Sequence, residues 1–183
     1  MIEIEKKFIL TPEQEKSLTE GAEFLGEKKF TDVYYDDDNF SLTKKDIWLR
    51  QRDEKFELKL PMNESIEKRI SDQYLELDNE KDILSASDYK PFCSVTTTRR
   101  KYKKDDFGID LDIMDFGYTL AEIEYMTEDV AKIKEATQSI IEFAKKHHID
   151  TKAVIRGKIV KYLELNNPAH FQALINAKVI KNV

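Results

Sequence analysis

Cysteine occurs once in this chain of 183 residues, histidine three times and glycine five times, and each scarcity removes a class of chemistry. Cys93 alone forms no internal disulfide, which points to a reducing, intracellular setting. In its mixed segment, YKPFCSV, it reads as a small buried hydrophobe. His147 and His148 fall at the end of a helical pattern, where the helix dipole favours a cation, and His170 falls in the last helical segment. None has the partner spacing of a metal site or a nucleophilic triad. The glycines are scattered, so there is no Gly-rich phosphate loop. No apolar run is long enough to span a bilayer, and the opening residues are acidic where a secretory leader would be basic and then apolar. A soluble, cytoplasmic protein is expected. With a net charge of −6, a general affinity for nucleic acid is not expected, and any anion site must be a local basic concentration. Neither a membrane nor an obligate protein partner is implied.

What the chain does have is a charge at every second position on one strand after another. Glu3, Glu5 and Lys7 open the series, followed by Arg50 and Arg52 with Trp48, Glu57 and Lys59, Glu76 and Asp78, Asp110 and Asp112, and Glu122 and Glu124. Residues two apart on a strand share a face, so each set points one way. The positions between are apolar: Ile2 and Ile4, Leu49, Leu58 and Leu60, Ile109 and Leu111, Ile123. One reading makes the charged face the wet side of a two-layer α+β protein, since antiparallel sheets commonly alternate in this way. A solvated face usually mixes Ser, Thr, Asn and Gln with its charges, whereas here nearly every position is a carboxylate, Arg or Lys. The second reading closes the sheet into a barrel with helices packed outside, so that the charges line a tunnel able to hold a polyanion and its metal.

The length suits one domain, 1–183, with a helical C-terminal part from about 128. Strands are expected over 1–10, 29–36, 46–53, 55–60, 70–78, 93–103, 107–114 and 119–126, about eight in all, an ordinary number for a closed barrel. Thr11, Pro12 and Gln14 carry the capping box of a helix, which Gly21 and Gly26 are expected to loosen and close. Short helical pieces are expected at 40–45 and 79–86. A long amphipathic helix is read over 128–148, and two more near 154–166 and 168–178, the last opened by Pro168.

Carboxylates without His or Cys partners make a hard, all-oxygen site, which suits Mg²⁺ or Mn²⁺ more than zinc. The candidates are Glu3, Glu5, Asp110, Glu122 and Glu124. Opposite them, Lys7, Arg50, Arg52, Lys59, Arg99 and Lys158 form a basic set; Arg offers phosphate a planar fork and Lys a point charge.

Glu3, Glu5 and Lys7 resemble the N-terminal E-x-E-x-K signature of the CYTH superfamily, the triphosphate tunnel metalloenzymes. The resemblance continues in order through Tyr34 and Asp36, Trp48, Arg50 and Arg52, Glu57 and Lys59, Arg99, Asp110 and Asp112, Glu122 and Glu124, and Lys158. It spans essentially the whole chain. The runs DIWLRQRDEKFELKLP, IDLDIMDFGYTLAEIEYM and GKIVKYLELNNPAHFQALI look most like the thiamine triphosphatase branch. The resemblance implies an eight-stranded barrel in which the basic set binds a triphosphate and the carboxylates organise a divalent metal. Two registers stay open, Arg99 against Arg100 and Asp110 against Asp112, with Arg99 and Asp110 preferred from the family's pattern.

The expected activity is Mg²⁺-dependent hydrolysis of thiamine triphosphate to thiamine diphosphate and phosphate, by in-line attack of a tunnel water. Orienting that water falls to a carboxylate or a lysine, with Glu5 and Lys7 the candidates. Trp48 shares a strand face with Arg50 and Arg52, so its indole either stacks on a flat cationic head group or fills the barrel mouth. An inorganic tripolyphosphatase would need the same tunnel without the aromatic. A nucleoside triphosphatase, an adenylate cyclase and a non-catalytic polyphosphate-binding module are the further alternatives.

Overall fold

The computed structural model describes residues 1–62, 70–78 and 89–181. Its eight described strands are β1 (Ile2–Phe8), β2 (Glu23–Asp36), β3 (Trp48–Arg52), β4 (Lys55–Pro61), β5 (Asp72–Asp78), β6 (Lys90–Lys104), β7 (Phe107–Met114) and β8 (Thr119–Thr127). They close an antiparallel barrel in the order β1-β5-β4-β3-β2-β6-β7-β8. The closure is made by the first and last strands, with Glu5 opposite Glu124 and Lys7 opposite Glu122. Because the pairings keep the two-residue alternation in phase outside the two register shifts between β2 and β6, the alternating charged residues of the strands share the inner face.

Four helices among the described residues accompany the barrel: α1 (Pro12–Thr19), α2 (Ile133–Lys146), α3 (Lys158–Asn166) and α4 (Pro168–Asn176). The capping box of α1 forms as the sequence predicts, with Thr11 and Gln14 exchanging backbone and side-chain hydrogen bonds at 2.9 and 3.3 Å. Its C-terminus differs from expectation. The helix stops at Thr19, and Gly26 lies inside β2, at the register shift opposite Tyr102 and Lys101, with φ +128°. A positive φ and an extra residue are what a β-bulge needs, and glycine supplies both cheaply. β2 is therefore longer than the stretch 29–36. The expected helix over 79–86 lies outside the described residues.

The apolar outer face of β1, β7 and β8 packs under α1 and α2, joining Ile4, Ile109 and Ile123 to Leu18, Ile140, Phe143 and Ala144. Ile4, Ile109 and Ile123 are completely buried, each stabilising the fold by ~1.5–3 kcal/mol. A charge at Ile123 would break this layer. Val95, Met114 and Leu120, which share the inner face of their strands, meet Ile159, Leu163 and Leu174 from α3 and α4. Among the described residues no helix is long and apolar enough to cross a membrane.

Candidate active site

Within the barrel, a cavity of about 660 Å³ is bordered by every candidate metal- or substrate-binding residue named from the sequence except Asp110. Asp110 is fully buried and reaches the site through its bonds to Arg99 and Lys101. None of the histidines borders the cavity. His147, at the end of α2, bonds Ser17, and His170, within α4, bonds Thr43.

The carboxylates gather in two groups that share Glu124. Glu3, Glu5 and Glu124 each offer an oxygen within 4.8 Å of the others, and so do Asp110, Glu122 and Glu124. Such crowding is costly unless it is compensated. Burial, reinforced by Asp110 and Glu3, pushes the Glu124 carboxyl up to about 8 against the pull of Lys101. Burial likewise raises Glu3 to about 7, with Lys59 opposing and Glu5 and Glu76 adding to the rise. Glu122 is raised by burial and by Glu5. Glu5 behaves differently: burial favours its neutral form, but the ammonium groups of Lys7 and Lys59 more than offset this and hold it at about 2. Asp110 Oδ1 is buried without a hydrogen bond, approached only ionically by Lys101 at 3.3 Å. Hard oxygen donors, a buried donor atom with no hydrogen bond and carboxyls driven toward protonation all fit a divalent cation.

The cations converge on the opposite wall. Arg52 grips Asp32 through two bonds of 2.6 and 2.8 Å, Lys158 bonds the same carboxylate, and Arg50 approaches it at 3.9 Å while bonding Glu57 at 2.6 Å. Burial lowers Lys158 to about 8, because Asp32 is shared with Arg50 and Arg52 and offsets only part of the desolvation. Beneath them lies the ring of Phe30, 3.9 Å from the Arg52 guanidinium carbon, 5.2 Å from Lys158 and 5.6 Å from Arg99. Its π face stabilises three like charges held together. Between the walls, Arg99 forks onto Asp112 at 2.6 and 2.7 Å and also bonds Asp110 and Glu122. Lys7 joins Glu5 to Asp72, and Lys59 joins Glu3 to Glu76.

The structure separates Arg99 from Arg100 by face, but not Asp110 from Asp112. Arg99 faces inward while Arg100 bonds Glu15 of α1 at 2.9 Å. Asp110 and Asp112 both face inward, Asp112 as the partner of Arg99 and Asp110 as a member of the carboxylate group. Trp48 lines the cavity at 9% exposure, with its indole N–H donating to Asp46 at 2.8 Å.

Sequence reasoning missed Asp32, Phe30, Asp46, Asp72, Tyr74 and Lys101 as parts of the site. Parity could have found three of them. Asp32 and Phe30 share a face with Tyr34, and Lys101 with Arg99, but in FTDVYY and RRKYKK no regular charge alternation marks it.

The comparisons with known proteins agree with this geometry. The CYTH domain model matches residues 1–157. The human thiamine-triphosphatase is 27% identical over 207 residues, covering 96% of this chain and 90% of that protein. The Macaca fascicularis thiamine-triphosphatase is 26% identical, covering 99% and 92%. Among solved structures, the PH1819 protein of Pyrococcus horikoshii superposes with a TM-score of 0.69 at 20% identity, over 90% of this chain and 99% of that one. The Hippeastrum protein HpAC1, described as a candidate adenylyl cyclase with a dominant triphosphatase activity, gives 0.59 at 14% identity over 89% and 95%. Barrel, inward charges and a family match over residues 1–157 lead to one conclusion: the chain belongs to the CYTH family.

Proposed function

We propose that the protein hydrolyses thiamine triphosphate to thiamine diphosphate and phosphate, supported by Mg²⁺. The observation that carries this reading is a single cavity in which a basic wall, a carboxylate cluster and the rings of Tyr34, Trp48 and Tyr74 meet. Its volume of about 660 Å³ lies within the ~300–1,000 Å³ usual for small-molecule sites. The role of Lys158, just past the residues matched by the family model, supports treating the C-terminal helices as part of the same functional unit.

Arg50, Arg52, Arg99 and Lys158 bind the phosphoryl oxygens, exchanging part of their bonding to Asp32 and Asp112 for bonding to the substrate. Asp32 keeps the three cations around it in reach of one chain of phosphates, so little ordering remains to be done on binding. Glu3, Glu5, Asp110, Glu122 and Glu124 would hold the metal, which supplies charge neutralisation for the phosphate oxygens. Lys7 stays protonated, its pKa raised by Asp72 and Glu5 against burial, and donates to an oxygen of the transferred phosphoryl group. Glu5 stays ionised and accepts a proton-side hydrogen bond from the attacking water, orienting it in line with the bond to be broken. The new bond joins the water oxygen to the terminal phosphorus. The bond from that phosphorus to the bridging oxygen breaks, leaving thiamine diphosphate and inorganic phosphate, with a proton of the water released to solvent.

Inorganic tripolyphosphate is the second reading, favoured by the near-complete burial of Trp48 among core residues. Phosphate release from thiamine triphosphate, tripolyphosphate, ATP and GTP, with and without Mg²⁺, tests both. The proposal expects the highest kcat/KM for thiamine triphosphate and dependence on Mg²⁺; a preference for tripolyphosphate would overturn it.

A further inference from the structure

Asp46 belongs to neither the carboxylate cluster nor the basic wall, yet it borders the cavity and is only 6% exposed. It ends the short 3₁₀ turn Thr43–Lys45 in the left-handed region, φ 61° and ψ 26°, a conformation that aspartate tolerates better than most residues. The turn is pinned from α4, where Nε2 of buried His170 meets Thr43 Oγ1 at 2.7 Å. One oxygen of Asp46, Oδ1, then accepts two hydrogen bonds, from the Trp48 indole N–H at 2.8 Å and from the Tyr74 hydroxyl at 3.1 Å. Two aromatic rings that border the cavity are thereby locked onto a single anionic atom.

Hydrogen bonds to a charged acceptor are shorter and roughly twice as strong as neutral ones, so both rings are held in one orientation. The same bonds push electron density into the rings, which strengthens the attraction of their faces for a cation. The carboxylate adds its own attraction across a wall of low dielectric. Each of these effects acts on positive charge and is nearly indifferent to a neutral ring of the same shape.

We propose that Asp46 is a specificity-determining positioning residue: it orients and polarises Trp48 and Tyr74 as a recognition wall for a flat, permanently cationic ring attached to a polyphosphate. The wall selects charge over shape. This inference rests on the thiamine triphosphate reading above and names what in the site senses the thiazolium.

Trp48 is the sole tryptophan, so intrinsic fluorescence reports directly on this wall. The whole protein and its Asp46→Asn variant are titrated with thiamine diphosphate and with its neutral isostere, in which carbon replaces the quaternary ring nitrogen. Asparagine keeps the size and an acceptor oxygen, and replaces the second, charge-bearing oxygen with a neutral amide nitrogen. The native protein should bind the cation more tightly than the isostere. In Asp46→Asn the ratio of the two affinities should fall about tenfold, the size of a desolvated cation–π contribution. An unchanged ratio, or a native protein that does not distinguish the two ligands, overturns the inference. Should Asp46→Asn not fold, Tyr74→Phe removes one of the two donors and keeps the ring; the ratio should then fall by a smaller factor, and an unchanged ratio overturns the inference equally. A native protein that fails to hydrolyse thiamine triphosphate overturns the proposed function while an Asp46-dependent ratio still stands. Hydrolysis with an Asp46-independent ratio overturns this inference alone.

Discussion

Replacing Glu124 with glutamine should make the metal-free protein more stable and the enzyme nearly inactive. Glu124 is the member common to both carboxylate groups, and its carboxyl is raised from 4.5 to about 8 by burial and by Asp110 and Glu3. A raised acid binds more protons in the folded than in the unfolded state across that interval. Stability should therefore fall as pH rises from about 4.5 to about 8, and stay low above it. A rise of this size corresponds to at most ~5 kcal/mol, which relaxation of the surroundings and entry of water reduce to ~1–3 kcal/mol. Glutamine removes the titration and leaves the shape. At pH 8.5 without metal, Glu124→Gln should melt higher by roughly 2–12 °C, taking ~2–4 °C per kcal/mol for a chain of this size. Mg²⁺ should reverse the order: at about 100 times its dissociation constant it stabilises the native protein by ~2.7 kcal/mol and the variant by much less. Phosphate release from thiamine triphosphate should drop roughly 10–100-fold or more, by analogy with the loss of groups that organise a metal. Melting curves at pH 6 and 8.5, with and without Mg²⁺, and initial rates on the same samples check all of this. A variant less stable than the native protein without metal at pH 8.5, or one that keeps both its Mg²⁺-induced stabilisation and its activity, would refute the placement of Glu124.

Arg50→Ala and Arg52→Ala should lower kcat/KM for thiamine triphosphate and for tripolyphosphate alike, and Arg52→Lys should restore little, because the two-pronged grip is lost; a loss confined to thiamine triphosphate would move these arginines to the organic end. Trp48→Ala should cost roughly 1–3 kcal/mol toward thiamine triphosphate relative to tripolyphosphate, or about ten- to a hundred-fold in the ratio of their kcat/KM values. Equal losses would make Trp48 a wall residue and bring the tripolyphosphatase reading forward. Lys158 loses its charge as pH rises through about 8, so kcat/KM should decline above that pH. Lys158→Arg, charged throughout, should shift or remove this limb, and a limb left in place in that variant would assign the titration to another group.

The inward charges were legible in the sequence because strand parity is a local rule: two residues apart means one face, whatever the strand pairs with. Glu3 and Glu5, Arg50 and Arg52, and Glu122 and Glu124 could each be placed on one face on that ground alone, and the resemblance of their order supplied the family. Parity becomes ambiguous where charges are consecutive. Arg99 and Arg100 could be told apart only when β6 was registered against β7, which sends Arg99 to Asp112 and Arg100 to α1. Gly26 illustrates the opposite failure. A glycine after a capped helix reads as a terminator, yet here the bulge between β2 and β6 claims it.

By itself, then, the sequence determined the alternation, the carboxylate and basic residue types, the cap of α1 and the family. Pairing was decided only by the tertiary structure. Which cation faces which carboxylate depends on cross-strand register between segments far apart in the chain, and in a closed barrel that register is set jointly by all eight strands. Asp32 gathers Arg50, Arg52 and Lys158, the last two over Phe30, and Lys158 arrives from a helix 126 residues further along the chain. Asp46 meets Trp48 and Tyr74 because a left-handed turn places its carboxylate within hydrogen-bonding reach of the indole N–H and the phenol hydroxyl. The shifted protonation of Glu3, Glu124 and Lys158 follows from burial and from neighbours contributed by other strands, and neither exists before the barrel closes.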